Sequence, residues 1–200
     1  MKRYVVAITG ASGAAIGLRV LEAIAAENEV HLIMSPEAMG IMLEETGLDW
    51  SASTPAGVRD KIRQRVKGPS LHYWDSRDMA APVSSGSFLT DGMIVAPCSM
   101  KTLAGIASGY AENLVQRAAD VTIKEGRNLV LAPREMPLSA IHLENMLKLS
   151  RIGVRIAPPV PAFYHGPKDL EEMVGFLAGK LLDALGVEHS LYKRWEGREG

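Results

Sequence analysis

Short apolar runs alternate along this chain with longer stretches whose apolar residues recur every three or four positions. Residues 4–8, Tyr-Val-Val-Ala-Ile, are rich in β-branched side chains and end at Thr9-Gly10, which predicts a buried strand. Over 14–26, Ile16, Val20, Leu21 and Ile24 share one face of a helix. A second strand follows at 30–34. Ser35-Pro36 then supplies an N-cap and a first-turn proline, so a helix runs to about Thr46. Thr54-Pro55 repeats the signal for a helix ending near Val66. Further strands are expected at 71–74, 93–96, 129–132 and 154–156. Helices are expected from the cap at Ser99 through Ala107, and over 114–124, 139–149 and 170–185.

Strand-then-helix repetition implies an α/β fold: a parallel sheet with helices on both faces. Such sheets bind ligands beyond the carboxyl ends of their strands, so residues just after strands carry the most information. The 80–92 stretch is rich in Ser and Gly and is expected to be a ligand loop. The end of the chain, from about 187 to 200, is polar apart from Leu191, Tyr192 and Trp195 and is expected to be a tail.

Composition narrows the class. At 200 residues and 47% hydrophobic, the chain can bury one sizeable core, so a single domain over 1–200 is expected. Lys and Arg total 22 against 23 Asp and Glu, a balance that argues against a general nucleic-acid binder. With Cys98 alone, no intrachain disulfide or cysteine-rich zinc site can form. Met1-Lys2-Arg3 before an apolar run imitates a signal peptide, but the run is too short. No run approaches the roughly 18 apolar residues of a membrane span, so a cytoplasmic protein without membrane contact is expected.

Two loops carry candidate chemistry. Thr9-Gly10-Ala11-Ser12-Gly13-Ala14-Ala15-Ile16-Gly17 joins a strand to a helix, where glycines allow close approach and the helix start offers N–H groups. Its spacing departs from the G-x-G-x-x-G of dinucleotide enzymes, and the second strand ends in Met34-Ser35 with no acidic residue for a ribose. Tyr164 and Lys168 are four apart, as in short-chain dehydrogenases, but Gly166-Pro167 between them puts them on a loop. The second loop, Pro97-Cys98-Ser99-Met100-Lys101-Thr102, repeats the strand-to-helix logic. Cys98, with no His near it in sequence, reads as a small core residue. Arg134-Glu135, held between Pro133 and Met136-Pro137, presents a cation and a possible proton carrier in one place. Arg117 and Lys124 are seven apart on one helix face. His31, His142 and His165, taken singly, read as structural or surface histidines.

Together these segments resemble the flavin prenyltransferases, the UbiX/Pad family. The resemblance rests on Ile8-Thr9-Gly10-Ala11-Ser12-Gly13, Ser84-Ser85-Gly86-Ser87, Ala96 to Leu103, Arg117-Ala118-Ala119-Asp120-Val121, Val130 to Glu135, Ile141 to Met146, and Pro159 to His165, in order along nearly the whole chain. It implies a Rossmann-like flavoprotein fold and a homo-oligomer, a dodecamer in this family. It implies transfer of dimethylallyl from dimethylallyl phosphate to N5 and C6 of reduced FMN, without a metal. The prenylated FMN would serve UbiD-type decarboxylases.

The resemblance also assigns roles. Gly10, Ala11, Ser12, Ser35, Ser99, Met100, Lys101, Thr102 and Arg134 would hold FMN. Ser85, Arg117, Lys124, Tyr164 and Lys180 would hold the prenyl phosphate. Ser12, Glu45 and Glu135 would handle protons. Two positions depart from the family pattern. No Trp precedes Ser-Gly-Ser, where Met79 stands in the 78–82 stretch, and Lys180 replaces an Arg, which removes bidentate phosphate contact. A flavin-dependent cysteine decarboxylase would carry an Asn-rich motif where this chain has Pro133-Arg134-Glu135-Met136-Pro137. A non-catalytic flavin-binding partner of a decarboxylase is the other rival.

Overall fold

The computed structural model describes residues 1–195 and 197. The chain alternates strands β1 (Arg3–Ile8), β2 (Glu29–Met34), β3 (Ser70–Asp75), β4 (Gly92–Cys98), β5 (Leu129–Pro133) and β6 (Arg155–Ile156) with helices. These are α1 (Ala14–Ala25), α2 (Pro36–Thr46), α3 (Pro55–Arg65), α4 (Met100–Ser108), α5 (Leu114–Lys124), α6 (Ala140–Arg151) and α7 (Leu170–Leu185). The strands form one parallel sheet in the order β3-β2-β1-β4-β5-β6.

Side-chain alternation on β1 explains the layering. Tyr4, Val6 and Ile8 point into a core shared with α1, α2, α3 and α7, while Val5 and Ala7 point into a second core with α4, α5 and α6. Both faces are covered, which is why the strands read as continuous apolar runs. The expected caps form: Ser35, Thr54, Ser99 and Ser139 each accept an amide of the first turn through the side-chain oxygen.

The differences from expectation are local. β4 continues through Pro97 to Cys98, with its register to β5 shifting between Val95 and Cys98. The 80–92 loop contains a short 3-10 turn, Pro82–Ser84. The tail does not run free: Tyr192 packs on Gly179, and Tyr192, His189 and Arg194 all reach Asp183 of α7. The last part of the expected tail, 196 and 198–200, lies outside the described residues. No helix among the described residues is long and apolar enough to cross a membrane.

Candidate flavin site

Strand order reverses between β1 and β4, and the loops leaving these strands part to opposite faces of the sheet. That divergence opens a crevice beyond the strand ends. Thr9 holds its two sides together. Its amide and hydroxyl donate to the Pro97 carbonyl (3.2 and 3.0 Å), and its Oγ1 accepts from the Ser99 amide (2.8 Å). The three loop glycines serve close packing. Gly10 lies against the Glu37 side chain, Gly13 takes a left-handed φ of +109° as the N-cap of α1, and Gly17 lies against the Ala96 carbonyl.

The two helix starts at the crevice differ. At α1 two of the N–H groups are already taken, because Glu45 accepts from Gly13 (2.9 Å) and Ala14 (2.7 Å). Burial raises the Glu45 pKa, but the Ser12 hydroxyl, those two amides and the charge of Arg134 outweigh it and hold the carboxyl below its usual range. Ser12, Glu45 and Arg134 therefore form one electrostatic group, with Glu45 ionised. At α4, Ser99 caps Thr102 (3.3 Å), and the amides of Met100 and Lys101 have no acceptor among the described residues. The α4 start is thus open to a ligand, while Glu45 occupies part of the α1 start.

A cavity of about 370 Å³ sits at this crevice, with Gly10, Ser35, Ser99, Lys101 and Thr102 in its wall. Hydroxyls, free amides and a lysine suit the ribityl-phosphate arm of a flavin, so the residues present fit the cofactor.

The other expected site residues lie elsewhere in the chain. Arg117 lies near the start of α5 and Lys124 at its end, with the Ser84–Ser87 loop alongside. Arg117 donates to the Ser84 carbonyl (3.0 Å) and pairs with Asp120 (2.7 Å), so it anchors the Ser84–Ser87 loop. Ser85 bonds Ser87 (2.9 Å), and Lys124 pairs with Glu125 against the Gly86 backbone. Helix α5 starts where the Leu114 amide reaches the Ser76 carbonyl, and its 11 residues carry Lys124 about 15 Å from that end. On the other face of the sheet, Tyr164 lies edge-on to Phe176, one helical turn from Lys180, which pairs with Asp183 (3.8 Å). Glu135 is exposed on its loop and accepts from the Met136 amide (3.0 Å). One chain therefore gathers Gly10, Ser35, Ser99, Lys101 and Thr102 of the expected FMN set at one cavity, and leaves the residues expected to hold the prenyl phosphate in two separate groups.

Several residues read as bland behave so. Cys98 is fully buried, and burial pushes its thiol up to about 12. His142 completes the capping box of α6, and His165 stacks on Phe176. His31, His72 and Glu29 could in spacing hold a metal. The hydrogen bonds oppose it. His31 Nδ1 accepts from the Trp74 indole (3.0 Å), which leaves the ring proton on Nε2, facing Glu29 (2.9 Å). A metal on Nε2 would force the proton to Nδ1, against the indole N–H.

A family model described as Flavoprotein matches residues 1–181. The chain is 44% identical over 193 residues to the flavin prenyltransferase UbiX of Methanocaldococcus jannaschii, covering 96% of this chain and 98% of that one.

The chain belongs to the UbiX family of flavin prenyltransferases.

Two crystal structures of UbiX-like proteins agree with it throughout. A dodecameric FMN-dependent UbiX-like decarboxylase from Escherichia coli O157:H7 is 48% identical with a TM-score of 0.85, covering 98% of this chain and all 100% of that one. AnUbiX (PadA1), in complex with FMN and dimethylallyl pyrophosphate, is 44% identical with a TM-score of 0.83, covering 99% of each chain. Three contributors to this UbiX crevice were missed in sequence. Thr9 stood inside a quoted motif without a role, and Glu37 and Arg77 had no motif to mark them.

Proposed function

We propose that this chain joins the dimethylallyl group of dimethylallyl phosphate to N5 and C6 of reduced FMN, releasing phosphate. The observation that carries the reading is the Thr9-clamped crevice with its open α4 start, in a chain similar over nearly its full length to flavin prenyltransferases. The AnUbiX relative, solved with FMN and dimethylallyl pyrophosphate, supports the pair of substrates.

In this reading the chain is one flavin-binding domain. Gly10, Ala11, Ser12, Ser35, Ser99 to Thr102 and Arg134 hold FMN. The allylic C–O bond breaks toward a phosphate anion, so the leaving group needs cations and donors: Lys124, Lys180 and Tyr164, with Arg117 fixing the loop that carries Ser85. Alkylation of N5 releases its proton as the phosphate leaves, and ring closure delivers one proton to the alkene carbon and takes one from C6, so Glu135 or the departing phosphate must both give and accept a proton. Glu45, held ionised, keeps Ser12 and Arg134 in register rather than acting as an acid.

Because one chain leaves these groups apart, the complete site forms between copies in a homo-oligomer. The dodecamer of the E. coli relative supports this. The product then passes to a UbiD-type decarboxylase in the cytoplasm.

Inorganic phosphate release tests the reaction. One phosphate per flavin is expected when reduced FMN and dimethylallyl phosphate are both present, and none with either alone. Release at the same rate without flavin would mean phosphate-ester hydrolysis and would sink the reading.

A further inference from the structure

The cavity at the crevice has one wall that the family resemblance leaves unassigned. It comes from the end of β3: Ser76 and Arg77 face Ser35, Lys101 and Thr102 across the same space. Arg77 is held at this edge in a defined way. Asp75 accepts its Nε (3.0 Å), its Nη2 (2.8 Å) and its backbone amide (2.9 Å). One edge of the guanidinium is thus fixed by a two-point pair, and Nη1 has no acceptor among the described residues. Arginine presents its donors as a rigid planar fork, so fixing one edge also fixes where the other edge points. The side chain is 83% exposed, so the fold does not depend on burying it.

Charge across the cavity calls for a second cation. Lys101 bears on Glu37, which its charge helps hold below the usual carboxylate range, after the stronger effects of the Glu37 amide and the Ser35 hydroxyl. A phosphate dianion placed by the α4 start would meet Lys101 with the Glu37 carboxylate in the same wall. Arg77 stands opposite, with its own carboxylate partner behind it rather than across the space.

Resting on the flavin reading above, we propose that Arg77 is a further flavin-binding residue: its free Nη1 edge pairs with the phosphate end of FMN and sets the preference for FMN over riboflavin. Asp75 is the positioning residue that aims it. Riboflavin keeps the ring and ribityl chain but lacks the phosphate, so it isolates this contact.

The test is flavin titration of the oligomer as purified, following protein and flavin fluorescence, with FMN and with riboflavin. Arg77→Gln should weaken FMN about tenfold to a hundredfold, the scale of one charge-assisted hydrogen bond, and leave riboflavin within twofold. Arg77→Lys should recover part of the loss, because a point charge replaces the fork. Asp75→Asn should weaken FMN less than Arg77→Gln does. Inorganic phosphate as a competitor of FMN is a second readout, and Arg77→Gln should raise its inhibition constant. Equal loss for FMN and riboflavin would make Arg77 a structural residue and overturn the proposal, as would unchanged FMN affinity. A wild-type protein that binds neither flavin would instead sink the flavin reading beneath it.

Discussion

Two glycine-to-alanine substitutions, both inside helices, should move stability in opposite directions. A Cβ on Gly17 of α1 would lie 2.3 Å from the Ala96 carbonyl oxygen and 3.1 Å from Pro97 Cδ. Carbon-to-oxygen contact begins at about 3.3 Å, so α1 must retreat from β4 by about 1 Å. Overpacking of that kind costs about 1–3 kcal/mol. Alanine's better helix propensity returns about 1 kcal/mol, which leaves a net loss of up to about 2 kcal/mol. At about 2–4 °C per kcal/mol for a chain of this size, Gly17→Ala should lower Tm by up to about 8 °C. It should also weaken FMN, because the displaced helix begins at the loop beside the Thr9 clamp. Gly40 of α2 is exposed with nothing within 4 Å of an added Cβ, so Gly40→Ala should keep the whole propensity gain and raise Tm by about 2–4 °C. The assay is thermal unfolding by circular dichroism at matched protein concentration, with FMN titration in parallel. A Gly17→Ala protein as stable as wild type, with unchanged FMN affinity, would refute the close-packing argument.

Three other outcomes are expected. Removing the Glu45 carboxylate with Glu45→Ala should cost about 1 kcal/mol, as for loss of a helix cap, and lower FMN affinity by freeing Ser12 and Arg134; unchanged denaturant midpoint and affinity would contradict its role. Burial depresses the His31 pKa, so the folded state prefers the neutral ring; stability should be full above about pH 6.5 and fall as the pH drops below it, with the slope between pH 7.5 and 5.5 flattened in His31→Asn, since carboxylates near pKa 4 are silent in that window. Tyr164→Phe and Lys124→Ala should each raise the KM for dimethylallyl phosphate while leaving FMN binding unchanged, and a loss of FMN affinity instead would misplace them.

The fold was legible because each strand is buried on both faces and each helix start carries its own punctuation. Ser35-Pro36 and Thr54-Pro55 encode their helices within two residues. The residues proposed to hold FMN were marked for a related reason: they follow β1, β2, β4 and β5 directly, where a parallel sheet opens. What periodicity could not show were contacts between distant positions. The Thr9 bridge to Pro97 and Ser99 spans about ninety residues of chain, and Glu45 reaches Gly13 from the far end of another helix. The glycine loop therefore read as an open helix start although a carboxylate from α2 occupies two of its amides. The tail read only as polar because Asp183, which gathers Tyr192, His189 and Arg194, looks in sequence like one more surface acid. Arg77 escaped notice because its partner Asp75 and the cavity it faces come together only when β3 is seated at the sheet edge.

The most direct test of the account is the mass of the flavin after reaction. Purified protein would be incubated with FMN, a reductant and dimethylallyl phosphate without oxygen, and the extracted flavin weighed by mass spectrometry. The account predicts that FMN gains one C5 prenyl unit. Unchanged FMN from folded, flavin-loaded protein, with either dimethylallyl phosphate or the pyrophosphate as donor, would contradict it.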